Sequence, residues 1–242
     1  MNIQILGSGN AFAPDGRGWS CFLVDGRYLF DCGPQALASL KRLHVDLAGI
    51  EAVFISHFHA DHWLGLPFLL LEYEEMTRRA RPLEIIGPRG IEDTVRQLYA
   101  LGHYKPMTRR SRLDLNFTEV SAGSRSTVAG VDVTALPMNH AKHRLEAFGF
   151  RTRIGGQVLG YTGDTSWCDE VLALGEDAAV LVADSTYPGR GVDGLHMGFD
   201  DIKRLRGKLD AETALLLTHL ERAPDEALSN TVAAEDFASY QF

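Results

Sequence analysis

The sequence predicts an α+β fold in which two β-sheets pack together with helices outside them. Three observations carry that prediction. Short apolar-rich runs recur along the 242 residues, and two of the junctions between them, Asp25-Gly26 and Gly155-Gly156, carry the residue pairs that tight hairpins demand. Two other runs, Ala178 to Ala183 and Ala214 to Leu217, are continuously apolar, as strands covered on both faces are. Stretches with apolar residues at helical spacing fall between these strands.

Taken in order, Asn2 to Leu6 reads as a strand stopped by Gly7-Ser8-Gly9. Ser20 to Val24 and Arg27 to Asp31 flank the first hairpin turn. Pro34 then opens a helix whose apolar stripe is Ala36, Leu37, Leu40 and Leu43. Glu51 to Ile55 is a strand, and a helix follows from Trp63 to about Arg79. Leu83 to Ile86, Leu113 to Val120, Val131 to Leu136, Ala147 to Arg153 and Gln157 to Tyr161 read as further strands. Helical patterns fall at Ile91 to Leu101, Trp167 to Leu174 and Asp200 to Leu209. No linker interrupts them, so residues 1–242 read as a single domain. The segment Met76-Thr77-Arg78-Arg79-Ala80-Arg81 recurs almost unchanged from Met107 to Arg112, but its flanks do not repeat. It reads as a pair of solvated helix-end or loop segments, the sharper alternative being two basic rims that attract an anionic substrate.

Composition narrows the function classes. Hydrophobic residues at 45% and charged residues at 23% are ordinary for a soluble enzyme. A net charge of −8 argues against a surface built mainly for nucleic acid. The three cysteines, Cys21, Cys32 and Cys168, form no CxxC pair, which argues against a disulfide framework and for the reducing cytoplasm. The N-terminal residues lack a basic region and a long apolar core, so no signal peptide is expected there. No uninterrupted apolar run reaches membrane-spanning length.

The chemistry concentrates in ISHFHADHWLGL, Ile55 to Leu66, where His57, His59, Asp61 and His62 follow the end of an apolar strand. A turn of the type His-x-His-x-Asp-His aims several ligand atoms at shared points. His57 and His59 can face one metal, while Asp61 and His62 reach a second beside it. Imidazole with carboxylate suits zinc best, with manganese or iron as alternatives. Two ions need more ligands than one turn supplies. His140, Asp164 and His219 each sit just past a predicted strand, where open-sheet sites are built. Of the other histidines, His143 reads as exposed or bracing, and His44 and His103 as structural or solvated.

The order LGSG, FDCG, HFHADH, a lone strand-end histidine, GDT and LLTH resembles the metallo-β-lactamase superfamily from Ile3 to Leu220. It resembles in particular the ribonuclease Z-like branch, with its small cyclic-phosphodiesterase relatives. The resemblance implies a four-layer αββα sandwich of the metallo-β-lactamase type. It implies two divalent ions, one on His57, His59 and His140 and the other on Asp61, His62 and His219, with Asp164 bridging them. Asp31, in FDCG, would brace the histidine turn. His196, in GLHMGFDDIKRL, would be a non-ligand histidine near the scissile phosphate, so Asp61 and His196 are the candidate catalytic residues.

Paired ions about 3.5–4 Å apart suit phosphodiester hydrolysis, although such a centre also opens lactones and thioesters. Two departures bear on the substrate. Ribonuclease Z carries a long Gly/Pro-rich arm that clasps transfer RNA, whereas here Gly87 to Gly90 leads into one helix and a short basic segment. The phosphonate-pathway relatives often carry a cysteine-rich zinc site, which Cys21 and Cys32 do not supply. The expectation is therefore a dinuclear metal-dependent phosphodiesterase acting on a small or short phosphodiester, with transfer RNA disfavoured and no membrane partner. A lactone or thioester hydrolase and a non-catalytic metal-containing accessory protein are the alternatives. A homodimer is open to it, because the Leu64–Leu71 stretch and the tail after Pro224 could cover one another or a partner.

Overall fold

Central strands buried at every position, their side chains divided between two apolar faces, set the architecture. The computed structural model describes every residue except 105 and 108–111. In the first half, β1 (Asn2–Gly7), β2 (Cys21–Val24) and β3 (Tyr28–Phe30) are followed by α1 (Ala36–Arg42), β4 (Ala52–Phe54), α2 (Ala60–Trp63) and α3 (Leu66–Glu75). Then come β5 (Leu83–Gly87), α4 (Ile91–His103) and β6 (Leu115–Glu119). The second half holds β7 (Arg125–Val128), β8 (Val131–Pro137), β9 (Phe148–Ile154), β10 (Gln157–Tyr161), α5 (Asp169–Gly175) and β11 (Val180–Asp184). It ends with α6 (Phe199–Arg206), β12 (Ala214–Thr218), β13 (Thr231–Ala233) and β14 (Ser239–Gln241).

These strands form two seven-stranded sheets, ordered β14-β1-β2-β3-β4-β5-β6 and β13-β12-β11-β10-β9-β8-β7. Each sheet is antiparallel where hairpins join its strands and parallel where a helix crosses over, as between β3 and β4 or β11 and β12. Both expected hairpin turns form, with positive φ at Asp25 (49°), Gly26 (69°), Gly155 (57°) and Gly156 (86°).

Alternate residues divide each sheet's apolar faces. Phe22, Val24, Phe30 and Phe54 point between the sheets, where they meet Phe150, Tyr161, Val180 and Val182 of the other sheet. Phe22, Phe30 and Phe54 lie in cross-strand register, with stacked rings 4.9 and 4.5 Å apart, and Tyr161 sits edge-on to Phe22 at 5.0 Å. The opposite face of the first sheet, with Leu23, Leu29 and Val53, packs on α1, α3 and α4. That of the second, with Leu181, Ala183, Leu215 and Leu217, packs on α5 and α6. The layers run helix, sheet, sheet, helix.

Three sequence expectations are corrected. The helix expected from Trp63 to Arg79 is two helices, α2 and α3, ending at Glu75. The interruption falls at Leu64 and Gly65, where the Gly65 backbone lies so close to the Gly33 carbonyl oxygen that a Cβ there would collide. The short strands β7, β13 and β14 were not expected, since their three or four residues carry no apolar alternation. The tail after Pro224 does not cover the Leu64–Leu71 stretch. It supplies β13 to one sheet and β14 to the other, while Leu66, Leu69 and Leu70 are buried in the helical layer. Of the paired basic segments, the first caps α3, with Thr77 Oγ1 donating to Glu72 at 2.9 Å and the Arg79 guanidinium 4.6 Å from the Tyr73 ring centroid. Positions 108–111 of the second lie outside the described residues. Among the described residues no helix is long and apolar enough to cross a membrane.

The Gly65 contact makes a prediction. Gly65→Ala should destabilise the protein by about 1–3 kcal/mol, as overpacking at a tight contact does. A urea denaturation midpoint equal to the parent's would show that the α2–α3 junction does not need this close approach.

Candidate metal centre

The candidate residues gather at one end of the two sheets, each on the loop that leaves a strand. His57 follows β4, His140 follows β8, Asp164 follows β10 and His219 follows β12 directly. The turn after β4 is built around Asp31, whose backbone takes a left-handed conformation (φ 57°) that a non-glycine residue rarely adopts. Its buried carboxylate accepts from Ser56 N at 2.8 Å, Ser56 Oγ at 2.9 Å, His62 Nδ1 at 2.7 Å and Tyr161 Oη at 2.5 Å. His219 is also left-handed (φ 58°).

Three overlapping groups of side chains converge, one of them Asp164, Asp184, His196 and His219, and the other two made of the residues read from the sequence as ligands. Of those two, His57, His59, His140 and Asp164 form one, and Asp61, His62, Asp164 and His219 form the other, with the ligand atoms of each within 4.8 Å of one another. Asp164 belongs to all three. Its Oδ2 lies 3.6 Å from His57 Nε2, 3.2 Å from His62 Nε2, 3.8 Å from His140 Nε2 and 3.3 Å from His219 Nε2. Asp61 Oδ2 stands 3.2 Å from His62 Nε2 and 3.4 Å from His219 Nε2. All seven residues read from the sequence as ligands are therefore brought together.

The far sides of the rings decide which nitrogen faces the centre. His140 Nδ1 lies 2.7 Å from the Leu195 carbonyl oxygen, which can only accept, so that nitrogen carries the proton and Nε2 presents its lone pair. His62 Nδ1 meets the Asp31 carboxylate in the same way. His57 Nδ1 faces Ser56 Oγ at 3.0 Å, and His219 Nδ1 faces Thr186 Oγ1 at 2.7 Å; both hydroxyls are already committed as donors to carboxylates, Asp31 and Asp184. Four imidazoles thus turn Nε2 inward, the orientation that outer partners impose on metal-binding histidines.

The electrostatics show how strongly the buried carboxylates call for positive charge at this point. Burial opposes charge on His62, but Asp164, Asp31 and Asp61 outweigh it and hold its pKa well above the ordinary range. Burial likewise opposes ionisation of Asp164, yet His219 and His62 keep its pKa well below the usual carboxylate value. For His57, burial and then His62 push the pKa well down, which keeps its imidazole neutral and able to donate a lone pair. His57 Nε2, His62 Nε2 and Asp164 Oδ1 are buried with no hydrogen-bond partner among the described residues. Such orphaned atoms are costly unless something else binds them. Their chemistry, imidazole and carboxylate only, fits divalent ions.

His196 stands beside this cluster, its ring 4.9 Å from that of His140 and 4.8 Å from that of His219 between centroids. Its Nδ1 lies 2.9 Å from Asp184 Oδ2. Burial works against its charge, but Asp184 prevails and raises its pKa to about 9. Asp184 was not singled out from the sequence, although it ends a buried apolar run, the same signal that picked out Asp164. It also receives Thr186 Oγ1 at 2.7 Å, and so braces His219 as well as His196. Ser56, Thr186 and Tyr161 were missed too, and no local pattern marks them. His143 and His44 are exposed, and His103 Nε2 donates to the Pro67 carbonyl oxygen at 2.9 Å.

Comparison with known proteins places this geometry. The model of the beta-lactamase superfamily domain matches residues 26–220. Ribonuclease Z of Mycobacterium bovis is 30% identical over 196 residues, covering 74% of this chain and 69% of that protein. The mitochondrial ribonuclease Z of Drosophila melanogaster is 28% identical over 204 residues, 76% of this chain, and the matched part spans only 26% of that longer protein. Among solved structures, the short form of human tRNase Z superposes with a TM-score of 0.78 at 23% identity, over 100% of this chain and 99% of that one.

If Asp31 orients His62 for a cation, Asp31→Ala should weaken zinc retention about 10–100-fold, as loss of an outer partner does. Zinc content measured against a graded chelator checks this, and unchanged retention would reduce Asp31 to a fold element.

Proposed function

This chain belongs to the beta-lactamase superfamily and, within it, to the ribonuclease Z-like branch. From that premise we propose that it is a dinuclear metal-dependent phosphodiesterase acting on a small or short phosphodiester. One observation carries the reading: buried, unpartnered His57 Nε2, His62 Nε2 and Asp164 Oδ1 converge beside a histidine, His196, held by its own carboxylate.

His57, His59 and His140 would hold one ion, Asp61, His62 and His219 the other, and Asp164 would contribute to both. Bound there, two divalent ions, zinc by ligand preference, would lower the pKa of a water and neutralise charge on the attacked phosphate. The chain's own residues do the rest. Outer hydrogen bonds hold the imidazoles in the tautomers that ligation needs. Asp61, kept ionised because His62 and His219 outweigh its burial, adds negative charge on the second ion's side. Asp184 fixes the His196 ring through Nδ1, which leaves Nε2 for the substrate. Hydrolysis forms a bond from water oxygen to phosphorus and breaks the bond to the leaving oxygen. His196 Nε2 gives that oxygen its proton and regains one from solvent.

Two features favour a small substrate over transfer RNA. Between β5 and β6 the described residues build only α4 and short connections, where a clasping arm would need an extended insertion. The net charge of −8 leaves little for a large polyanion to bind.

The zinc- or manganese-loaded protein should hydrolyse a generic aryl phosphodiester, and His196→Ala should lower kcat about 10²–10⁴-fold with both ions retained by elemental analysis. Turnover confined to an aryl ester or a lactone would overturn the proposal. Chelation should abolish phosphodiester turnover, and added zinc should restore it.

A further inference from the structure

Next to the centre, and sharing His219 with it, lies a cavity of about 270 Å³. His196, Tyr187, Phe12, Pro14 and Glu221 also line it. Tyr187 stands edge-on to His196, ring centroids 6.1 Å apart. Phe12 is 90% exposed, an unusual position for a phenyl ring unless something else covers it.

The loop that carries Phe12 is held in place. At its base the Asp236 carboxylate accepts from Ser8 N at 2.8 Å, Ser8 Oγ at 2.7 Å and Gly18 N at 2.6 Å. Arg17 donates to Ser8 Oγ at 2.8 Å. Higher up, Asn10 Oδ1 accepts from Phe12 N at 3.0 Å, and Trp19 Nε1 donates to the Ala11 carbonyl oxygen at 3.1 Å. Ala13 and Asp15 are left-handed, at φ 47° and 53°, a strain that this hydrogen-bonded frame sustains. A strained, clamped loop that presents a bare aromatic ring beside a reaction centre has the form of a preorganised binding element.

We infer that this cavity receives the planar ring of a nucleoside leaving group, with Phe12 as its stacking platform and Asp236 as the residue that positions the platform. The inference rests on the phosphodiesterase reading, since His196 protonates the leaving oxygen and the group on that oxygen therefore lies on the His196 side. The walls are aromatic and aliphatic, which suits a ring face. Glu221 can accept from the amino edge of a base and repels any further phosphate, so the occupant is an uncharged nucleoside rather than a nucleotide. The volume suits one base and not a base pair.

The test compares kcat/KM of the zinc-loaded protein on a dinucleoside monophosphate and on a diester of phosphate with two glycerols. It is paired with calorimetric titration of adenosine. Phe12→Ala should lower the ratio of the two kcat/KM values about tenfold and weaken adenosine binding by a similar factor, the usual loss of one base–aromatic stack. Asp236→Ala should lower the same ratio without removing an atom from the cavity. An unchanged ratio in Phe12→Ala, or adenosine binding indifferent to it, overturns the subsite while leaving phosphodiester hydrolysis standing. Phe12-dependent adenosine binding without turnover of either diester would uphold the subsite and sink the phosphodiesterase reading.

Discussion

The Asp31 carboxylate, fully buried at the end of the first sheet, accepts hydrogen bonds from the histidine-bearing turn, from His62 itself and from Tyr161 of the second sheet. A buried carboxylate left unpaired would be among the most costly groups a fold could carry. Here its four donors come from two pieces of chain, the turn from Ser56 to His62 and Tyr161 of β10, which must therefore meet at Asp31. The sheets are drawn together by their aromatic interface, but that interface alone allows them to slide. Asp31 removes the slide at the end where the site is built, because any shift that breaks its bonds strands the charge.

The remaining carboxylates extend that logic. Asp61, Asp164 and Asp184 are buried near Asp31. Their mutual repulsion is offset by imidazoles, so His62 and His196 are held towards the charged form while His57 is driven to the neutral one. Identical side chains a few ångströms apart are thus assigned different chemistry by their surroundings. The carboxylates around His62 call for positive charge that a bound ion would supply, whereas His196, off the ligand set, is left to carry a proton.

Much of this was legible in the sequence, for reasons that differ by residue. His57, His59, Asp61 and His62 share one turn, so their spacing carries the geometry. His140, Asp164 and His219 were found because each follows an apolar run, a local sign of a strand end. Asp31 could be suspected from FDCG, but its bond to Tyr161 joins residues 130 positions apart and leaves no periodic trace. Thr186 and Ser56 belong to a residue type too common in turns to stand out. The same distinction holds for the fold. Strands that bury a whole face announced themselves, whereas β13 and β14 exist only because an open sheet edge lies beside them to pair with. At the break, Gly65 meets Gly33, a contact that helical spacing cannot register.

The pairing of β14 with β1 also sets an order in time. The first strand of the chain can complete its edge only after residues 239–241 have been synthesised. Asp236, which holds the loop from Ser8 to Gly18, is made almost as late. The histidine turn needs less of the chain, since the last donor to Asp31 is Tyr161. The loop bearing Phe12 precedes that turn in the sequence, yet it can take its final shape only once Asp236 is made, after every donor to Asp31 is in place.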